Sequence, residues 1–267
     1  MRTPASCRAG AVVSRPQSDQ VTRQRREGLV AEVSAVSVDA RCRNHTVTPP
    51  VLTVAHCLQS VLRDEHRWKV LPVAGWSTRD LQVIQVLDMF SALFGVPPGD
   101  LAAACRGLVD ARLLRRLARH ADQGGESPME TVMRLAVAGL EGTGGLIPQL
   151  VVRADGSVAD PVHTGGEQWG RRRRLTSAEW SARRRGPKIV ARLDLGDPVL
   201  RLALQYDGAA HLGLERRDRD SKVNTQLTNL EWHVLRITQG HLADPDLLAE
   251  TVDGGVEVCR RRLGGRS

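Results

Sequence analysis

Two short runs separated by a Gly-Asp-Pro turn set the narrowest limits on this fold. Arg192-Leu193-Asp194-Leu195 ends at Gly196-Asp197-Pro198, and Leu200 to His211 (LRLALQYDGAAH) follows. In the second run Leu200, Leu202 and Leu204 alternate with Arg201, Ala203 and Gln205, the two-residue period of a strand with one buried face. Pairing the two strands brings Asp194 near Gln205 and Asp207 at one edge of a sheet. Oxygen ligands on neighbouring strands suit a hard divalent cation such as Mg²⁺, the usual ion for phosphodiester hydrolysis. A plain hairpin with a surface aspartate and an Asp-Gly turn satisfies the same residues equally well.

The flanking segments place this pair in a larger pattern. Glu126-Ser127-Pro128-Met129-Glu130-Thr131 opens a helix, with Ser127 as N-cap, Pro128 at the first helical position and Glu130 three residues after the cap. The helix runs through Met133, Leu135, Ala136 and Leu140 to a stop near Gly142. A strand is expected at Leu146–Arg153, then a turn at Asp155-Gly156. Leu214–Leu230 predicts a charged amphipathic helix with Val223, Gln226, Leu227 and Leu230 toward the sheet. Trp232–Thr238 (WHVLRIT) has the large and β-branched residues of a strand. Asp244-Pro245 starts a last helix, with Leu247, Leu248, Val252, Val256, Cys259 and Leu263 on its apolar side. Helix, three strands, helix, strand, helix is the order of an α/β sandwich.

The segments ESPMET, RLDL, LRLALQYDGAAHL and ERRDRDSKVNTQLTNLEWHVLRIT occur in this order. Together they resemble the DUF559-domain proteins of actinobacteria, relatives of the very-short-patch-repair endonucleases in the PD-(D/E)xK, restriction-endonuclease-like superfamily. The resemblance covers roughly 124–263. It implies a restriction-endonuclease-like αβββαβ core with an additional N-terminal helical region, acting as a Mg²⁺- or Mn²⁺-dependent endonuclease on double-stranded DNA. Residue by residue, it implies that Asp194 holds the metal ion and that Glu130, on the first helix, holds a metal-bound water. Asp207 falls in the Tyr-Asp-Gly element, and His211 matches the histidine that handles the proton. Family members usually carry glutamate at the position of Gln205; glutamine keeps a carbonyl oxygen for the metal but loses the charge. That loss admits a second expectation, a catalytically impaired relative acting as a DNA-binding or antitoxin-like regulator.

Each residue also has a plainer account. Ser127 and Glu130 form the pattern of a capping box, in which Glu130 returns a hydrogen bond to the Ser127 backbone. Asp207 before Gly208 suits a turn, and His211 suits an exposed loop. Asp194 is different, because an aspartate between two leucines on a strand is awkward unless its charge is used.

Charge is concentrated rather than spread. The chain carries +8 overall, yet Arg171 to Lys188 alone holds eight Arg or Lys against one Glu. The remainder is close to neutral. Arg171, Arg172, Arg173, Arg174, Arg183, Arg184, Arg185 and Lys188, interleaved with Trp169 and Trp180, suit phosphate contacts on DNA; a solvated linker has the same composition. This segment sits in an insert expected at about 158–188. Arg216, Arg217, Arg219 and Lys222 alternate with Glu215, Asp218 and Asp220, as on an exposed helix face laced with ion pairs.

Three regions follow from this reading: a polar tail over 1–27, expected to be disordered, a mainly helical region over 28–123, and the α/β domain over 124–267. Thr48 to Leu58 resembles the stretch that precedes the nuclease-like domain in these proteins, after a winged helix similar to AbiEi-type antitoxins. Here Leu52 and His56 stand where Arg and Asp are commoner. Helices are expected at about 79–94, 98–106 and 108–121, packed on the α/β core. The five cysteines are odd in number and lack a Cys-x-x-Cys pair, and no signal peptide or spanning run is evident. A cytoplasmic protein with reduced thiols is the expectation.

Overall fold

A computed structural model describes residues 36–37, 46–47, 50–66, 68–159, 187–208 and 214–265, with side chains from 50 onward except those of 214–219. Two short strands, β1 (Val36–Ser37) and β2 (Thr46–Val47), pair antiparallel. Four helices follow: α1 (Pro50–Leu62), α2 (Thr78–Phe94), α3 (Pro98–Ala104) and α4 (Ala111–Ala118). The α/β part then runs α5 (Pro128–Val137), β3 (Ile147–Arg153), β4 (Val158–Ala159), β5 (Ile189–Asp197), β6 (Leu202–Asp207), α6 (Leu214–Asn229), β7 (His233–Thr238), α7 (Gln239–Ala243) and α8 (Pro245–Gly264). The protein is a mixed α/β structure with a five-stranded mixed sheet and eight helices among the described residues.

The sheet order is β4-β3-β5-β6-β7, antiparallel except for the parallel β6–β7 pair. Parallel strands need a crossover, and α6 supplies it. Leu227 of α6 and Trp232 close one face of the sheet over Leu150, Val152, Ala191, Leu193 and Ala203. On the other face Leu195, Leu202, Leu204 and Ile237 pack with α5, α7, α8 and the four N-terminal helices in one continuous core. Each fully buried leucine there contributes about 1.5–3 kcal/mol.

Several local expectations need correction. β6 is buried on both faces over Leu202–Leu204, since helices cover both sides of this inner strand. It begins at Leu202 because Leu200 and Arg201 form the preceding turn, with Arg201 at φ 52°. Regular α5 stops at Val137, where the Thr143 hydroxyl donates to the carbonyls of Val137 and Leu140. Val158–Ala159 is the return strand of a hairpin through Asp155-Gly156, so the insert starts after it. Gln226, Leu247 and Leu263 are exposed rather than core-facing. Of the residues at helical spacing in the helix expected over about 108–121, Leu114 and Leu117 are buried in α4, whereas Leu113 is half-buried and Val109 lies before the helix, also half-buried. The tail 1–27, 160–186 and 209–213 lie outside the described residues.

Candidate acidic site at the strand fork

Strands β5 and β6 pair only from Leu195↔Leu204 to Asp197↔Leu202 and then diverge. Asp194 stands at that fork. Its Oδ2 accepts the backbone N–H of Tyr206 at 2.7 Å, so the carboxylate takes the place of a ladder bond. The alternation of β5 breaks at the same residue. Leu193 enters the core under α6, whereas Leu195, two positions on, enters the core under α5 and α8. On the other neighbour, the β3–β5 register runs Pro148↔Leu195 and Leu150↔Leu193, which sets Gln149 opposite Asp194. Gln149 has φ 55°, a conformation non-glycine residues rarely adopt, and is buried. Such irregularities persist where the surroundings over-determine them, and they gather at working sites.

Gln149 joins the fork to the first turn of α5. Its Nε2 donates to Glu130 Oε2 at 2.8 Å, and the Glu126 backbone N–H donates to the same oxygen at 3.2 Å. Ser127 Oγ accepts the Glu130 N–H at 3.2 Å, so half of the expected capping box forms. The returning half is corrected: Glu130 turns to Glu126 and Gln149 instead of the Ser127 backbone. The Glu126 carboxylate pairs with Arg192 of β5 at 2.5 Å. Both partners are about half exposed, so this pair orients more than it stabilises.

The electrostatics follow from this crowding. Burial raises the Asp194 carboxyl to about 6, with the charges of Glu130 and Glu126 adding to the rise. The Tyr206 N–H and the nearby Arg236 guanidinium oppose it. Arg236 lies beside Gln205 in the β6–β7 register and donates to Asn224 of α6 at 2.9 Å.

The structure thus brings Asp194 and Glu130 together and sets Gln205 next to the Tyr206 amide that binds Asp194. Asp207 is exposed and lines an open groove with Asp220, Asn224, Thr228 and Arg236. Lys188 is exposed just before β5, its carbonyl accepting from the Ala154 N–H. His211, Arg171 to Arg174 and Arg183 to Arg185 lie outside the described residues. In α1, Leu52 is buried and His56 exposed. Among the described residues no three His, Cys, Asp or Glu side chains gather as a metal-holding group, and the described cysteines are free. No single described helix is long and apolar enough to cross a membrane; α2, which with α3 forms a pair bent by 102°, is a core helix. Sequence reasoning gave no role to Gln149, Glu126, Arg192 or Arg236. Arg192 is two residues from Asp194 and Glu126 one before the cap, but Gln149 shows no local signal.

No family model, curated protein or solved structure matches this chain. What defines it is the fold and the fork: a mixed α/β protein with a half-buried aspartate where two strands part.

Proposed function

We propose that this chain is a divalent-metal-dependent DNA endonuclease, built on a restriction-endonuclease-like αβββαβ core, that hydrolyses phosphodiester bonds. The supporting observation is the Asp194 carboxylate, fixed by Tyr206 and raised to about 6 beside two further carboxylates. Carboxylates that raise one another in this way favour a cation between them. The donors are hard oxygens, and Mg²⁺ characteristically takes one or two carboxylates while keeping several waters. Asp194 and Glu130 fit that demand, with the Gln205 amide oxygen as a neutral third donor. When bound, Mg²⁺ or Mn²⁺ polarises the scissile phosphate and makes a water more acidic. The chain's own part is positional. Tyr206 holds the Asp194 carboxylate, Gln149 and the Glu126 amide hold that of Glu130, and His211 moves the proton. The arginines at 171–174 and 183–185, with Lys188, contact the phosphates of double-stranded DNA.

One observation favours a second reading. Arg236 stands beside Gln205, where the family that the sequence resembles usually carries glutamate, and its charge opposes the rise of the Asp194 carboxyl. A guanidinium there partly replaces a metal, which suits a DNA-binding or antitoxin-like relative without catalysis. Mn²⁺ titration of the wild type and Asp194→Ala, beside DNA binding with and without EDTA, separates the two. Mn²⁺ binding that disappears in Asp194→Ala supports the nuclease. DNA retention equal in EDTA, with no Mn²⁺ binding, supports the binder.

A further inference from the structure

Helix α2 carries a polar stripe where a core helix is expected to be apolar. Gln82, Gln85 and Asp88 recur every three residues and are only 5%, 6% and 1% exposed. Buried polar groups are costly unless bonded, so their partners are informative. The Gln82 amide donates to the Trp68 carbonyl at 2.9 Å, and the Trp68 indole donates to Gln85 Oε1 at 2.7 Å. Gln85 Nε2 then donates to the Pro128 carbonyl at 2.9 Å. Asp88 accepts the Asp122 backbone N–H on Oδ1 at 2.7 Å. On Oδ2 it accepts the Thr131 hydroxyl at 2.8 Å and the Arg134 guanidinium at 2.6 Å. The backbone at Gly125 passes so near that a Cβ there would lie 2.9 Å from the Asp88 Cβ.

The places where these bonds land are specific. Pro128 and Thr131 bracket Glu130, while Asp122 and Gly125 flank the approach to Glu126. From Pro128 to Thr131 this is one turn, so a shift of the turn moves the Glu130 carboxylate with it. Among the described residues, the Gln149 amide and the Glu126 N–H hold its far side.

We propose that Gln85 and Asp88 are positioning residues for Glu126 and Glu130, so that the N-terminal helices build the acidic half of the site. The inference takes Asp194 and Glu130 as the working pair and to that extent rests on the proposed function. Outer residues that orient metal-holding carboxylates typically change metal affinity about 10–100-fold when altered.

The test uses the full chain with Gln85→Met, Asp88→Asn, Thr131→Val and Thr131→Ser. The side-chain amide resonance of Gln149 reports its bond to Glu130 without metal or substrate. Mn²⁺ affinity and thermal midpoint are measured beside it. The expected result is a Gln149 resonance moved toward that of a free amide, and at least about tenfold weaker Mn²⁺ binding, in Gln85→Met, Asp88→Asn and Thr131→Val. Thr131→Ser, which keeps the hydroxyl, should match the wild type. Should Asp88→Asn not fold, Gln85→Met and Thr131→Val decide. Folded variants with a lowered midpoint but an unmoved Gln149 resonance overturn the inference, since that is the signature of a purely structural role. A wild type that binds no Mn²⁺ overturns the metal reading instead, while the Gln149 resonance still decides the positioning.

Discussion

Gln149 stands opposite Asp194 in the β3–β5 register and hands its amide N–H to Glu130, tying the acidic turn of α5 to the fork of the sheet. Both strands are irregular at this level: Gln149 by its positive φ, Asp194 by the broken alternation of its neighbours. The acidic groups are thus held together by the fold.

Replacing Asp194 by Asn should stabilise the metal-free chain at neutral pH. The folded-state carboxyl, at about 6, lies above its ordinary value of 3.8. Its stabilising effect is therefore complete below about pH 4 and is lost as the pH rises through 6. Asn keeps an oxygen for the Tyr206 N–H and carries no charge. Urea unfolding should show a gain of about 2 kcal/mol for Asp194→Asn at pH 8, shrinking toward zero near pH 4.

Glu130→Gln should make Asp194 easier to ionise. Removing the Glu130 charge takes away one of the influences that raise the Asp194 carboxyl, while its burial remains. Carboxyl carbon NMR of Asp194 should show a lower titration midpoint than the wild type, still above the ordinary aspartate range.

Arg134→Met should be severely destabilising. Asp88 is almost fully buried and its guanidinium partner is also largely covered, so the variant strands a carboxylate in the core. Breaking such a pair costs about 3–5 kcal/mol. Burial already pushes Asp88 upward, against the pull of Arg134. The loss should therefore be largest at neutral pH and smaller in acid, where a protonated Asp88 needs no cation.

Local chemistry made much of this fold legible. The Ser127 cap with Pro128 behind it, the β-rich run at His233–Thr238 and the helical spacing of Leu114 and Leu117 each carry their own signal, and each element formed. Asp194 was conspicuous for the same reason, as a charge between two buried leucines. Errors arose where a choice depended on distant partners. The alternation of Leu200, Leu202 and Leu204 cannot show that Ala203 is also buried, because its cover, Leu227 and Trp232, lies beyond the strand. Glu130 had two ways to bond, and the competing donor was Gln149, nineteen residues on. Gln149 itself was invisible, since its role comes from register and a positive φ. The polar stripe of Gln82, Gln85 and Asp88 came to notice only through its burial and its distant partners.

Nicking of supercoiled plasmid by the full chain in Mn²⁺, beside Asp194→Ala and Gln205→Glu, tests the central claim most directly. Cleavage by the wild type that vanishes in Asp194→Ala is the predicted result, with faster cleavage in Gln205→Glu as a third carboxylate joins the fork. No cleavage by the wild type or by Gln205→Glu, or cleavage undiminished in Asp194→Ala, would contradict it.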